Sequence, residues 1–231
     1  MQAIILAAGQ GTRIQMKVPK SLIEISGVPI ILRLIEQFKK AGIDEIIVIT
    51  GYESEVLEEA LALSGVKTIF NPFYTCSDNL VSFWIGQSLI SDDCIVSHSD
   101  IIIEDSLIEQ LFAADGDIVL PIDKSSLNEE SMKLKVVGGK VEALSKTIPL
   151  EQASGESVPL MKFSRCAVHK LKELTVDAIS KGKQHLLLDA IVFELIKTRK
   201  FTVSILNFTG KKWLEIDTPE DLKIAEELFR A

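Results

Sequence analysis

The chain has 231 residues, 47% of them hydrophobic and 25% charged, with a formal net charge of −8. These values suit one well-cored globular domain with a small insertion, and the acidic balance argues against non-specific nucleic-acid binding. No apolar run approaches the roughly 18–20 residues that span a bilayer, and the N-terminal MQAIILAAG has no basic leader, which predicts no signal peptide.

AIILAA (3–8) is a continuous apolar run closed by Gly9, as expected of a strand buried on both faces. PIILRLIEQFKKAG (29–42) has Pro at a helix start, a 3–4 apolar period and Gly at its end. EIIVIT (45–50) reads as the next buried strand, followed by Gly51. ESEVLEEALAL predicts a helix, KTIFN a short strand, NLVSFWIGQSLI (79–90) a helix and CIVSHSD (94–100) a strand. SLIEQLFAA and DIVLPI then give a helix and a strand. This alternation over residues 1–122 predicts a parallel sheet with right-handed crossovers. The pattern changes at MKLKVVGGKVEALS (132–145), where Gly138-Gly139 between two strand-like runs signals a hairpin. SVPLMKFS is a further strand candidate. Helices are expected near 165–180 and 185–198, a strand at FTVSIL (201–206), and a closing helix capped by Thr218 with Pro219 at its first position. The chain reads as a single domain over 1–231. The change of pattern divides it into 1–122 and 123–231, with 201–231 returning to the core.

The loop after the first strand, ILAAGQGTRIQMKVPKSL (5–22), gathers Arg13, Lys17 and Lys20 beside Gly9 and Gly11. Ile14 breaks a dinucleotide-binding G-x-G-x-x-G, and Pro19 prevents both an immediate helix and a Walker-type Gly-Lys-Ser. A long open turn remains, in which glycines admit backbone N–H groups to a phosphate and Arg13 and Lys20 can neutralise its oxygens. A solvated basic loop is the plain alternative. Asp100 falls just past a strand placed centrally in the sheet, where ligands of open α/β sheets bind. It could hold Mg²⁺ or cap the next helix, although Asp105, followed by Ser106, is the better cap. Asp217 precedes the capped closing helix and could simply start it. Phe73, Phe83 and Trp84 read as core aromatics or binding residues. His98 reads as a core histidine and His169 and His185 as surface residues. The cysteines Cys76, Cys94 and Cys166 lack CxxC spacing, which predicts reduced, mostly buried thiols in a cytoplasmic protein, with Cys94 and Cys166 in the core.

LAAGQGTR…PKSL resembles the signature of the nucleotidyltransferase superfamily that joins NTPs to phosphorylated small molecules, and EIDTPEDL resembles its C-terminal motif. The resemblance implies a Rossmann-like three-layer α/β/α sandwich with a mostly parallel central sheet and a small β-hairpin/helix lid. It would make 1–122 a nucleotide-binding half and 123–231 an acceptor-binding half. It places Leu6, Ala7, Ala8, Gly9, Gly11 and Thr12 around the triphosphate and Arg13 and Lys20 as catalytic cations. Asp100 and Asp217 become the carboxylates of a Mg²⁺ cofactor. Only 14–18 separates Arg13 from Pro19, shorter than the spacer of many sugar-nucleotide members. NPFYTCSDNLVSFWIG, MKLKVVGGKVEALSKTI and ESVPLMKFSRCAV are similar to the phosphocholine and phosphonate cytidylyltransferase branch. That branch implies Asn79 near the nucleotide and Lys146 on the substrate phosphate. Tyr74 and Trp84 would cage a quaternary ammonium, and Asp189 would meet an amine. Asn79 as a helix cap, Lys146 as a surface lysine and Asp189 as an ordinary helical acid stay open. The expected partners are CTP and a phosphorylated or phosphono small molecule, with no nucleic acid or membrane; the oligomeric state, a homodimer included, stays open. The alternatives are a sugar-1-phosphate nucleotidyltransferase, an inactive nucleotide sensor and a structural subunit.

Overall fold

The structure is a computed structural model, and it describes residues 1–11, 18–125 and 127–230. The chain opens with β1 (Gln2–Ala7), then a short hairpin of β2 (Glu24–Ile25) and β3 (Val28–Pro29), and α1 (Ile30–Lys40). β4 (Glu45–Thr50), α2 (Ser54–Leu61), β5 (Lys67–Phe70), α3 (Asn79–Gly86) and β6 (Cys94–His98) follow. After β7 (Ile101–Ile103), α4 (Asp105–Ala113) and β8 (Ile118–Asp123) comes the hairpin of β9 (Lys133–Val137) and β10 (Lys140–Ser145). β11 (Gly155–Ser157), β12 (Leu160–Phe163), α5 (Arg165–Ser180) and α6 (Leu188–Lys197) lead to β13 (Val203–Asn207), β14 (Trp213–Glu215) and α7 (Pro219–Leu228).

The main sheet runs β5-β4-β1-β6-β12-β8-β13, and β12 is antiparallel to its neighbours while the rest run parallel. β11, β9 and β10 extend it as an antiparallel flap. Every residue of β1 is buried, because its alternating side chains feed two cores. Ile4 and Leu6 join Phe83, Leu171, Val192 and Leu195 under α3, α5 and α6. Ala3, Ile5 and Ala7 join Ile31, Phe38, Leu57 and Leu107 under α1, α2 and α4. Such two-sided burial requires an unbroken apolar run, which is what the sequence carries there. Helices on both faces of a mostly parallel sheet make the three-layer α/β/α sandwich that was expected.

Several local expectations are corrected. SVPLMKFS is two short strands, because Val158-Pro159 interrupts the ladder between β11 and β12 and Pro lacks the N–H to continue it. The sixth helix starts at Leu188, three residues after His185. Asp105 does not cap α4. It is the first helical residue and accepts from Gln37 Nε2 (2.8 Å) and Lys40 Nζ (3.3 Å). Asp100 is kept from that helix instead by β7. Cys166 and Cys76 are exposed and only Cys94 of the three is buried. Phe73 is 47% exposed whereas Phe83 is wholly buried. No helix among the described residues is long and apolar enough to cross a membrane.

The turn after β1 leans on a neighbouring glycine. A Cβ on Gly51 would meet Ala8 O at 2.6 Å and Ala8 Cβ at 2.7 Å. Gly51→Ala must therefore push the loop off its position. We expect an overpacking loss of about 1–3 kcal/mol, read as a lower denaturation midpoint. An unchanged midpoint would show that the turn yields freely.

Candidate active site

Three sequence-distant stretches converge at the carboxyl ends of the central strands. Lys20 sits in a short 3₁₀ turn (Lys20–Leu22) opened by Pro19. Gly11, at φ +57°, packs over it, and a Cβ there would lie 3.1 Å from Lys20 Cβ. Asp100 lies two residues beyond β6. Its carbonyl accepts from Ile216 N at 2.9 Å, next to the β7–β14 ladder that pairs Glu215 with Ile101. That ladder sets the C-terminal motif against the central strand. Thr218 and Asp221 form a capping box on α7, with Asp221 Oδ2 accepting from Thr218 N (2.7 Å) and Asp217 N (3.0 Å). Since Thr218 and Asp221 serve the helix, the Asp217 carboxylate turns to the site. Lys20 Nζ donates to Asp100 Oδ2 at 2.7 Å and also to Asp217 Oδ1.

Charge here is dense and enclosed. Burial works against the Lys20 ammonium, but Asp100 and Asp217 outweigh it and hold its pKa above the ordinary lysine value. Burial, then the charge of Glu215, raises the Asp100 carboxyl against the pull of Lys20 and His98. His98 Nδ1 is 3.5 Å from Glu215 Oε1 and its Nε2 is 3.1 Å from Asn79 Nδ2. Burial lowers the His98 pKa, yet Glu215, Asp100 and Asp189 lift it to about 9. Burial also opposes the Glu215 carboxylate, but His98 and Lys20 keep it below the usual range. His98, Asp100 and Glu215 each offer a ligand atom, all within 4.8 Å of one another, and so could hold a metal ion. Asp100 Oδ1 is buried with no hydrogen-bond partner among the described residues, a hard oxygen of the kind a divalent cation takes.

Two cavities meet at this cluster. The first, about 290 Å³, is lined by the turn after β1 (Leu6, Ala7, Ala8, Gly9 and Gly11) and by Lys20, Tyr74 and Ser82. The second, about 820 Å³, is lined by Lys146, Asp189, Asp123, Glu156 and Trp213. Asn79, His98, Asp100, Leu187 and Asp217 line both. In the second cavity Trp213 Nε1 donates to Asp123 Oδ2 at 2.7 Å, and Asp189 is 6% exposed with its carboxyl raised chiefly by burial.

Glu156 is raised from 4.5 to about 7, first by burial and then by the charges of Glu215 and Asp123, against Ser131 and Lys133. A carboxyl whose pKa is raised on folding contributes stability below its unfolded pKa and loses it as pH rises through the folded one. Between pH 4.5 and about 7, Glu156 thus makes stability fall with rising pH. Glu156→Gln should raise the Tm relative to wild type more at pH 8 than at pH 4.5. A Tm difference that does not change with pH would contradict this.

Most of the expected site residues lie around these cavities, but not all where the sequence suggested. Lys20, Asp100, Asp217 and the 6–11 turn adjoin the first cavity, and Lys146 and Asp189 the second. Tyr74 lines the first cavity and not the second, and Trp84 lines neither. Asn79 borders both, but its side chain is engaged: besides His98 it accepts from Leu188 N at 2.8 Å, tying down the start of α6. It is the first residue of α3, not its cap. Arg13, Thr12 and Lys17 lie outside the described residues. His98, read from sequence as a core histidine, is 27% exposed and lines both cavities. Glu215, Trp213, Asp123 and Glu156 were missed. For the first two a signal existed: strand alternation back from Asp217 reaches Glu215 and Trp213, and back from Asp100 it reaches His98.

Residues 3–190 match the MobA-like NTP transferase domain family. The CTP:phosphoglutamine cytidylyltransferase of Campylobacter jejuni is 26% identical, aligned over 98% of this chain and 100% of its own. The bifunctional IPC transferase and DIPP synthase of Rubrobacter xylanophilus is 25% identical over 98% of this chain. The chain spans only 51% of that longer relative. The solved CTP:phosphocholine cytidylyltransferase of Streptococcus pneumoniae shares the fold, with a TM-score of 0.79, 24% identity and coverage of 99% of each chain.

Proposed function

This chain belongs to the MobA-like NTP transferase family and is thereby a nucleotidyltransferase, and we propose that it joins CTP to a phosphorylated or phosphono small molecule, releasing pyrophosphate. The observation that carries this reading is the pair of cavities meeting at Asp100 and Asp217. One opens on the turn after β1, and the other holds Lys146. CTP as donor is taken from the relatives named for it.

In this reading the nucleotide phosphates lie along the 6–11 turn and the acceptor phosphate on Lys146. An acceptor oxygen attacks the α-phosphorus as the bond to pyrophosphate breaks. The acceptor oxygen is already anionic, so no general base is needed, and the chain's task is to bring two anions together. Lys20 and Arg13 offset charge on the departing pyrophosphate. Asp100 and Asp217 would hold Mg²⁺; Asp100 brings the buried Oδ1 that lacks a partner among the described residues and a place in the His98, Asp100 and Glu215 group of possible metal ligands. When bound, Mg²⁺ supplies Lewis-acid neutralisation of phosphate charge. The second cavity is lined by Asp123, Glu156, Asp189 and the aromatic Trp213, a lining suited to an ammonium group. We therefore place phosphocholine-like and aminoethylphosphonate-like acceptors ahead of sugar 1-phosphates. Trp213 takes the part that Trp84 was expected to play. The unit is a single domain of a nucleotide half and an acceptor half.

The test is pyrophosphate release with each of five NTPs against phosphocholine, 2-aminoethylphosphonate, phosphoglutamine, inositol 1-phosphate and hexose 1-phosphates. CTP with an ammonium-bearing acceptor should dominate. Preference for a hexose 1-phosphate with another NTP would replace this reading with an NDP-sugar synthase, and no turnover of any pair would remove the assigned chemistry.

A further inference from the structure

Lys133, the first residue of β9, is 0% exposed. Lysine is almost never fully buried without partners, because taking an ammonium out of water is costly. Here its Nζ donates to three backbone carbonyls, Glu129 O (2.7 Å), Ser131 O (3.3 Å) and Lys146 O (2.8 Å). Across the sheet Lys133 pairs with Glu156, which pairs with Asp123. Directly opposed residues share a face of the sheet, so a carboxylate lies beside the buried charge. The β9–β10 ladder ends at the Lys133–Ser145 pair, and Lys146 is the first residue past it. The Lys133–Lys146 bond therefore continues the hairpin by one link. The same ammonium ties in Glu129 and Ser131, which also line the second cavity.

We propose that Lys133 is the positioning residue of the acceptor cavity, clamping Lys146 against the 129–131 segment so that the Lys146 side chain is set for the acceptor phosphate. This rests on the role given to Lys146 above. A clamp of this kind acts on one substrate: it should govern acceptor binding and leave the nucleotide side untouched.

The experiment compares Lys133→Met, Lys146→Ala and the double variant. Initial rates are taken with CTP and phosphocholine or 2-aminoethylphosphonate, whichever the wild type turns over. Amide hydrogen exchange on the protein without substrates gives a second readout. Lys133→Met should raise the acceptor KM at least tenfold and leave the CTP KM within twofold. The double variant should be no worse than Lys146→Ala, because the clamp acts through Lys146. Exchange should speed up at 127–131 and 146–148 and stay unchanged in β1 and β6. Lys133→Gln, which keeps an N–H donor, should fall between wild type and Lys133→Met and serves if the latter does not fold. Equal rises in both KM values, penalties that multiply in the double variant, or unchanged exchange in the two segments would overturn the proposal. A normal acceptor KM in Lys146→Ala overturns the reading of the cavity itself. A raised one beside a normal Lys133→Met overturns the positioning role alone.

Discussion

Lys20→Ala should lower kcat/KM by about 10²–10³, the loss of roughly 3–4 kcal/mol of barrier stabilisation typical of removing one preorganised electrostatic group. Lys20 is 11% exposed and bridges Asp100 and Asp217, so its removal also leaves two neighbouring carboxylates without their shared cation. Their mutual repulsion should then favour a bound divalent ion. We expect the Mg²⁺ concentration for half-maximal rate to fall while the maximal rate collapses. A simple surface lysine would move neither quantity. Lys20→Arg should not rescue the rate, since the guanidinium fork is larger and differently directed than the ammonium that fits between two carboxylates. Steady-state rates across a Mg²⁺ titration decide the matter, and a loss of less than threefold would end the role assigned to Lys20.

Asp100→Asn is expected to separate activity from stability. Asp100 supplies the buried Oδ1 and a partner for Lys20, so the amide should cost on the order of 10²–10³ in rate or more. Its carboxyl is raised by burial and by Glu215, which means that the folded state works against its charge. The neutral amide removes that opposition and keeps the shape. The Tm at pH 7.5 should therefore stay level or rise while turnover is lost, the pattern of a site that gives up stability for function. A Tm drop of many degrees together with retained activity would reverse both halves of the argument. If Mg²⁺ raises the Tm of the wild type, that rise should be absent in Asp100→Asn.

The frame of the molecule was legible because its signals are local. The apolar run 3–8 suits a strand covered on both faces, and the βαβ alternation left few ways to arrange the sheet. Pro19 and Ile14 by themselves exclude two kinds of phosphate loop. The hairpin at Gly138-Gly139 and the Thr218 cap depend on neighbours in sequence, and both stand as expected. The misses share a cause. Trp84 was assigned by type, yet whether an aromatic faces a cavity depends on the elements packed around it. Cys166 was placed in the core by composition, although its position on α5 faces outward. His98 looked like a strand interior residue, and it became a cavity wall because β6 ends there and Glu215 arrives opposite, 117 positions later.

By itself the sequence determined the layered fold and singled out the turn after β1, Lys20, Asp100 and Asp217, which the structure brings together. Each of these follows from short-range pattern or from a motif whose chemistry is carried by its own residues. Only the tertiary structure decided which groups share a field. Lys20 and Asp217 meet across 197 positions, and Asp123, Glu156 and Lys133 line up through strand register rather than spacing. Burial then lifted Glu156 to about 7, and packing enclosed Lys133 Nζ among three carbonyls. Desolvation depends on what packs around a group from every side, and no window along the chain contains that information.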